Sequence, residues 1–348
     1  MRASLLVGVR RVELTEVDEP QLRPGSVVVE IDRCGVSGSD VEAYVSGLLP
    51  AGAWFGHEWV GRVVAVGPEV VEHFEGERVI GAAPPACGAC RPCRAGLGDH
   101  CALVVDMIVG VDGLASPHGA FAERIRVDAR RAHRLPEGID DVDAAIAEPA
   151  AVAVHAIARA TVALGDVIVV IGAGTIGLLV AELSRLSGAS AVVAIDADPY
   201  QRELSCDLGA DAAFSDGSGA AKWLSARGHG LGADIAFDCS GSPTSLATAV
   251  DVVRRGGTVV AVGVRSTTGS PRSTVLLERE ADLRAAVGYT ATDVRRALSL
   301  MADDRLRVAN LYEPEPIGLG DLDAALHELS GETLSSGIGR RRKLLVAP

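Results

Sequence analysis

Four cysteines within fifteen residues give the strongest chemical signal in this sequence. Cys87, Cys90, Cys93 and Cys101 have the spacing C-x2-C-x2-C-x7-C, which can close four thiolates around one zinc ion in a tetrahedron. Four protein ligands leave no open coordination position, so the predicted zinc is structural. Free thiols in a surface loop are the alternative, and His100 is interpreted as a bystander.

A glycine-rich turn follows an apolar strand pattern further along the chain. The run Val167–Ile171 leads directly into Gly172-Ala-Gly174-Thr-Ile-Gly177 and then into a helical pattern. In that context G-x-G-x-x-G is typical of dinucleotide binding, because its glycines allow a tight turn, close approach of the pyrophosphate and close helix packing. An ordinary strand–turn–helix unit is the alternative. The predicted cofactor-binding residues of this turn are Gly172, Gly174, Thr175, Ile176 and Gly177.

The end of the next predicted strand indicates the type of cofactor. Asp196 lies 22 residues after Gly174, where an acid would bind the adenosine ribose hydroxyls and repel a 2′-phosphate. We therefore predict NAD rather than NADP. Arg202 could soften this preference or could face solvent on a helix, so the strictness of the preference stays open.

Composition and charge restrict the classes of function. The 348 residues are 48% hydrophobic and 23% charged, a globular balance with material for two cores. A net charge of −13 repels phosphate backbones, so we expect no nucleic-acid partner. The sequence has neither a signal-peptide pattern nor a run of about 20 apolar residues, so we expect no membrane span and a cytoplasmic location. The basic run Arg340-Arg341-Arg342-Lys343 is predicted to be a solvated end.

The pattern of predicted elements changes near Ala150. Earlier strands are predicted at Ser26–Ile31, Glu58–Val66 and Glu123–Val127. Later strands are predicted at Val167–Ile171, Ala191–Asp196, Ala212–Phe214, Ile235–Asp238 and Thr258–Val262, separated by helical segments such as Thr175–Ser187 and Ser245–Arg255. This alternation favours a parallel sheet with helices on both faces. After about residue 288 the pattern is mixed, with helices near Thr292–Ala302 and Asp321–Leu329.

Together these features resemble the zinc-containing medium-chain alcohol dehydrogenases, and within them the polyol (sorbitol) and threonine dehydrogenase branch. The resemblance covers nearly the whole chain. It rests on Gly35-Val-Ser-Gly-Ser-Asp40, Gly56-His57-Glu58, the four cysteines, Ala147-Glu148-Pro149 and the Gly172–Gly177 turn. It implies an α/β fold in which a doubly wound Rossmann domain is inserted into a GroES-like, β-rich catalytic domain. The implied boundaries are 1–150 and 288–348 for the catalytic domain, with a zinc lobe at about 85–102, and 151–287 for the NAD-binding domain.

The resemblance also implies a second, catalytic zinc that polarises the substrate oxygen. The family pattern for its ligand is C-G-[ST]-D, but here Ser37 occupies the cysteine position, and a serine hydroxyl is a poor zinc ligand. The resemblance makes His57 a direct ligand, Glu58 a ligand or supporting group, and Glu148 a ligand or its close neighbour.

The loss of the cysteine leaves the catalytic metal open. Either a more weakly bound zinc is retained by His57, Glu58, Glu148 and Ser37, or the site is empty and side chains alone carry the chemistry. Replacement of the missing ligand by Cys34 through a register shift is a further alternative.

The resemblance assigns roles in proton and hydride transfer as well. Ser39 keeps the hydroxyl that would take the alcohol proton. Glu42 stands where the family often has a histidine outlet to water, and a carboxylate there would change the pH profile or would simply face solvent on a helix. Val262 is expected to approach the nicotinamide.

The implied activity is hydride transfer between NAD and a secondary alcohol of a polyol, sugar-like or amino-alcohol substrate. Two alternatives are an NAD(P)-dependent reductase of the same fold without catalytic zinc and a cofactor-binding relative without activity. Since relatives form dimers and tetramers, a homodimer or homotetramer is expected. The sequence determines neither the individual alcohol or ketone nor the physiological direction.

Overall fold

The computed structural model describes residues 1–83, 85–102, 119–263, 273–330 and 342–348. The chain divides into two compact units. Unit 1 contains Met1–Ala151 and Tyr289–Pro348, and unit 2 contains Val152–Gly288. The divisions thus lie after residues 151 and 288. The predicted boundaries, after residues 150 and 287, are each one residue earlier.

The secondary structure follows chain order. The strands are β1 (Arg2–Gly8), β2 (Arg11–Glu16), β3 (Ser26–Gly35), β4 (Glu58–Val66), β5 (Arg78–Gly81), β6 (Arg124–Asp128), β7 (Ala132–Arg134), β8 (Val167–Ile171), β9 (Ala191–Ile195), β10 (Ala212–Phe214), β11 (Ala233–Asp238), β12 (Val253–Ala261), β13 (Asp282–Ala285), β14 (Ile317–Gly318) and β15 (Leu345–Ala347). The helices are α1 (Gly38–Ser46), α2 (Arg91–Arg94), α3 (Asp141–Ala144), α4 (Ala147–Ala160), α5 (Thr175–Leu186), α6 (Pro199–Asp207), α7 (Gly217–Ala226), α8 (Ser245–Val252), α9 (Ser273–Arg279), α10 (Ala291–Ala302) and α11 (Leu322–Ser330). Among the described residues, none of these helices combines the length and the apolar character needed to cross a membrane.

Unit 1 is built on antiparallel strands. Its main sheet has the order β14-β15-β3-β4-β5-β7, with β6 also paired to β3, while β1 and β2 form a separate pair. Strand β3 is the centre of this unit because it pairs with β4, β6 and β15. Valines of β3 pack with Trp59 and Phe121 in one hydrophobic core.

The C-terminal strand β15 joins the end of β3, with Leu345 opposite Gly35 and Val346 opposite Cys34. Lys343, just before β15, is held at both backbone groups: its N–H donates to Leu311 at 2.8 Å and its carbonyl accepts from Glu313 at 2.8 Å. The residue is only 8% exposed. The predicted solvated basic end is therefore wrong at Lys343, while Arg340 and Arg341 lie outside the described residues.

Unit 2 is a parallel sheet in the order β10-β9-β8-β11-β12-β13. Every residue of β8 and β9 is buried, as expected for central parallel strands covered on both faces. The helix predicted at Ser245–Arg255 is shorter in the structure, since Val253 already begins β12. Two consecutive glycines follow, and Gly256 has a φ of +67°, which helical residues do not adopt.

Candidate active site and metal centres

The four predicted zinc cysteines come together in unit 1. Their sulfur atoms all lie within 4.8 Å of one another, and none forms a disulfide. The Sγ–Sγ distances are 3.3 Å for Cys90–Cys93 and 4.0 Å for both Cys87–Cys93 and Cys90–Cys101. Four sulfurs at about 2.3 Å from a central zinc would be about 3.8 Å apart. The donor set therefore fits a tetrahedral zinc.

The backbone around these cysteines favours thiolate. The backbone N–H groups of Cys93 and Ala102 lower the pKa of Cys90 to about 6, whereas the side-chain hydrogen bond with Cys90 raises the pKa of Cys93, so Cys90 is the thiol of this pair that ionises first. The short helix α2 within the cysteine segment buries none of its residues. The segment thus has little apolar core, and a bound metal would supply most of its local stability.

A second cluster of possible metal ligands contains His57, Glu58 and Glu148, whose ligand atoms also lie within 4.8 Å of one another. Glu58 is the first residue of β4 and is 4% exposed, while Glu148 lies in the first turn of α4 and is 8% exposed. The His57 side chain is 42% exposed. One accessible imidazole thus lies beside two buried carboxylates.

The loop before His57 has a backbone shape that requires glycine. Gly56 has a φ of +90°, and a Cβ there would lie 2.8 Å from the Phe121 ring. Its N–H donates to Asp40 Oδ1 at 3.2 Å, and the same oxygen lies 3.9 Å from His57 Nδ1. The buried Asp40 therefore links helix α1 to the loop that carries the imidazole.

The electrostatics of the cluster follow from its burial. Burial raises the pKa of Glu148 to about 7; Glu58 adds to this rise, and the charge of His57 and a hydrogen bond from Tyr289 oppose it. The partial burial of the His57 imidazole acts to lower its pKa, but the carboxylates of Asp40, Glu148 and Glu58 outweigh this effect and raise that pKa. Burial, together with Glu148, raises the pKa of Tyr289, so its hydroxyl stays a hydrogen-bond donor. Sequence reasoning missed Tyr289, which has no local motif.

Ser37 and Ser39 form a hydroxyl pair at the start of α1. Ser37 is the N-cap of that helix in a capping box with Asp40. Its Oγ donates to Asp40 Oδ2 at 2.6 Å, accepts from the Asp40 N–H at 3.0 Å, and lies 2.8 Å from Ser39 Oγ. A hydroxyl has one proton and two lone pairs, so when Ser39 donates, Ser37 has no lone pair left for a metal.

The other predicted residues near this cluster differ in accessibility. Ser39 is exposed, and Glu42 is half-buried on the same helix. Cys34 is fully buried in β3, and burial raises the pKa of its thiol well above the usual range. Among the described residues it does not belong to either cluster of metal ligands. The geometry gives no support to replacement of the missing cysteine by Cys34.

One charged residue in this region was not predicted. The Lys343 ammonium donates to Glu58 Oε2 at 2.5 Å and to the Val36 carbonyl at 3.2 Å. The two side chains are each only 5% exposed. A buried cation therefore already contacts one of the three possible metal ligands.

In unit 2 the glycine turn lies between β8 and α5. Gly172 has a φ of +88°, and a Cβ there would lie 2.6 Å from Ser240 Cβ. A Cβ on Gly177 would overlap the Gly172 carbonyl oxygen, whereas a Cβ on Gly174 would meet no atom within 4 Å. Gly174 is the exposed N-cap of α5, so the N–H groups of Thr175 and Ile176 in the first turn of that helix can face an anion.

Asp196 and Arg202 are held close to this turn. Asp196 accepts the Ala173 N–H at 2.7 Å and the Asp198 N–H at 2.8 Å, which fixes its carboxylate directly after β9. The Arg202 guanidinium donates to the carbonyls of Asp196 and Ala197, at 2.8 Å and 2.7 Å. Val262 follows β12 and is buried. Arg202 thus caps the end of β9 rather than extending freely into solvent.

Comparison with known proteins agrees with this arrangement. An alcohol dehydrogenase GroES-like domain model matches residues 23–137, and a zinc-binding dehydrogenase model matches residues 175–303. L-threonine 3-dehydrogenase of Aeromonas salmonicida is 33% identical over 73% of this chain and 74% of that protein. D-xylulose reductase A of Aspergillus oryzae is 29% identical over 96% of each chain. A Sinorhizobium meliloti protein solved with NADP has a TM-score of 0.84 at 26% identity, covering 100% of this chain and 99% of that one.

Unit 2 has a parallel sheet with a glycine-rich turn suited to phosphate, and unit 1 has two clusters of possible metal ligands. This combination is typical of a nucleotide-dependent, metal-associated oxidoreductase. The chain belongs to the zinc-containing medium-chain alcohol dehydrogenases, in the branch of the polyol and threonine dehydrogenases. The predicted family, α/β fold and alcohol dehydrogenase class are confirmed. The preference for NAD, the role of each zinc and the assignments of individual site residues stay predictions.

Proposed function

We propose that this chain catalyses NAD-linked oxidation of a secondary alcohol, and the reverse ketone reduction, on a polyol, sugar-like or amino-alcohol substrate. The observation that carries this proposal is the cluster of His57, Glu58 and Glu148 in the same unit as the Ser39–Ser37 hydroxyl pair. The names of the relatives support it, because threonine and xylulose both carry oxygen on a secondary carbon.

His57, Glu58 and Glu148 would hold the catalytic metal, which when bound would polarise the substrate oxygen and lower the pKa of the alcohol. Three protein ligands with one open position are usual for catalytic zinc. The set contains two carboxylates and no thiolate, and Ser37 is committed to its helix cap. We therefore expect zinc to bind here more weakly than at the four cysteines.

Side chains of unit 1 would accept the hydroxyl proton of the alcohol and pass it on. As the alcohol becomes a ketone, its carbon-bound hydrogen would leave as hydride for the nicotinamide, and its hydroxyl proton would go to Ser39 Oγ while Ser39 releases its own hydroxyl proton toward the outlet. The 2.8 Å contact between the two serine oxygens, backed by Asp40, holds the Ser39 hydroxyl in place. Glu42, on the same helix, is the proposed proton outlet.

A second candidate function is reduction without a catalytic metal. It is favoured by the Lys343 ammonium, which already neutralises Glu58, and by the missing cysteine. Measuring zinc per chain, together with NAD-linked oxidation of a polyol panel before and after chelation, separates the two candidates. We expect close to two zincs and chelator-sensitive activity. One zinc, unchanged by supplementation, with chelator-resistant activity would favour the second candidate.

The proposed preference for NAD gives a direct test. Asp196→Ser should raise the ratio of NADP to NAD kcat/KM by about tenfold or more, because it removes a charge that repels the 2′-phosphate. Asp198→Ser is the matched control, since it also removes one carboxylate but keeps a residue able to cap α6. An unchanged ratio in Asp196→Ser would reject this role for Asp196. The test is needed because a similar structure, from Sinorhizobium meliloti, contains NADP rather than NAD.

The same proposal assigns catalysis to residues 1–150 with 288–348 and NAD binding to 151–287. Gly172, Gly174, Thr175, Ile176 and Gly177 would hold the pyrophosphate, and Val262 would approach the nicotinamide. A homodimer or homotetramer and a cytoplasmic location stay predictions; the latter is supported by four cysteines gathered as thiols rather than disulfides.

A further inference from the structure

Lys343 and Glu58 form a buried ion pair at the candidate metal cluster. The chain has only two lysines, Lys222 and Lys343. Lys222 is exposed on α7, whereas Lys343 places its ammonium against a carboxylate that is equally buried. Burying a single ammonium is strongly unfavourable unless a partner compensates the charge. The pairing of Lys343 with Glu58 therefore satisfies two charges that would otherwise be unfavourable.

The surroundings of the pair are shaped to hold it. A Cβ on Gly35 would overlap Glu58 Oε2 and would lie 3.3 Å from Lys343 Cδ, so glycine leaves the space that both side chains use. The Lys343 backbone is fixed by Leu311 and Glu313, and its ammonium also donates to the Val36 carbonyl. The position of the ammonium is thus set by three separate parts of unit 1.

We propose that Lys343 is a positioning residue that competes with a divalent metal for Glu58 and so sets the metal affinity of the cluster. This inference rests on the proposed function in taking His57, Glu58 and Glu148 as the ligands. Without metal, Lys343 is the counter-ion of Glu58. A metal held by the cluster would compete with this ammonium for the Glu58 carboxylate.

The charges of the cluster carry the argument. Its two carboxylates would attract a divalent cation, but the ammonium cancels one of these charges and repels the incoming metal. The ligand cysteine of the family is absent, and Ser37 adds no negative charge. Lys343 and Ser37 therefore act in the same direction, and both weaken metal binding.

The test is a Co²⁺ titration of the purified full chain, monitored by the visible absorption of the bound metal, after removal of metal from the weaker site only. Lys343→Met should bind Co²⁺ about tenfold more tightly or better, because it removes a positive charge beside the ligands. Lys343→Arg keeps the charge and should stay within about threefold of the parent. Lys222→Met is the matched control, and its affinity should be unchanged.

Two further variants keep the test decisive. Lys343→Gln retains a hydrogen-bond donor for Glu58 without the charge, so it should also bind more tightly even where Lys343→Met folds poorly. In a Glu58→Gln background, Lys343→Gln should tighten Co²⁺ binding by less than it does in the parent, because the competition for the carboxylate is gone and only the repulsion between the ammonium and the metal is removed. Equal or weaker Co²⁺ binding by both uncharged Lys343 variants would overturn the proposal.

Metal binding and turnover give separate readouts. If the uncharged variants bind Co²⁺ more tightly but no alcohol or ketone turns over, the role of Lys343 stands and the proposed function fails. If an active, metal-dependent enzyme shows the same Co²⁺ affinity with and without Lys343, the proposed function stands and the role of Lys343 is rejected.

Discussion

Replacing Ser37 with cysteine is expected to tighten zinc binding at the His57–Glu58–Glu148 cluster by about 100-fold or more. A thiolate is a strong zinc ligand. Loss of a group that only hydrogen-bonds to a metal ligand lowers metal affinity by about 10–100-fold, so gain of a direct ligand should have at least as large an effect. The same change weakens the N-cap of α1, which should lower the stability of the metal-free protein by about 1 kcal/mol. Competition titration with a chromophoric chelator measures the zinc affinity, and thermal unfolding of the metal-free protein measures the loss of stability.

Ser37→Ala is the control for this variant. It removes the same helix cap without adding a ligand, so it should lose stability to a similar extent and gain no zinc affinity. If Ser37→Cys bound zinc no more tightly than Ser37→Ala, position 37 would not face the metal cluster. The weak site would then have some cause other than the missing cysteine.

Replacing Cys90 with serine is expected to empty the four-cysteine site and to disorder the segment around it. Apparent zinc-binding free energies at such sites are about 10–16 kcal/mol in isolated peptides, and α2 has no buried residues to compensate for the loss. Elemental analysis should show one zinc fewer per chain than in the parent. Limited proteolysis should cut the variant within residues 85–102, and the parent should resist.

The matched control is Cys206→Ser, which removes an exposed cysteine on α6 that lies outside both clusters. It should keep the parental zinc content and protease resistance. A Cys90→Ser protein with unchanged zinc content would show that the metal of this chain is bound elsewhere, and the assignment of a structural zinc to the cysteines would be wrong.

The features predicted best are those whose residues are close in sequence. The four cysteines lie within fifteen positions, and the glycine turn follows its own strand, so spacing alone indicates their geometry. Strands β8 and β9 could be predicted equally well from the local sequence, because a central parallel strand is apolar on both faces. His57, Glu58 and Glu148 could be grouped only through resemblance to a family, since 90 residues separate the last two.

The features that were missed depend on distant partners. Lys343 follows three arginines, and local charge alone favours a solvated end, but β15 pairs with β3 and carries Lys343 to Glu58. Tyr289 contacts Glu148 in the same way, although all of unit 2 lies between the two residues in the sequence. The commitment of Ser37 to its capping box was visible in principle, because Ser37 and Asp40 have the spacing of that motif.

The division of unit 1 into two stretches of chain has a consequence for biosynthesis. Glu58 leaves the ribosome 285 residues before Lys343, and all of unit 2 is made between them. Unit 2 has all of its strands from one continuous stretch and can fold as soon as it is made. Until residues 343–346 are made, the end of β3 that pairs with β15 is an unpaired sheet edge and Glu58 lacks its lysine partner, although the rest of β3 can already pair with β4 and β6. A metal ion bound at Glu58 during that interval would act as a temporary substitute for the lysine.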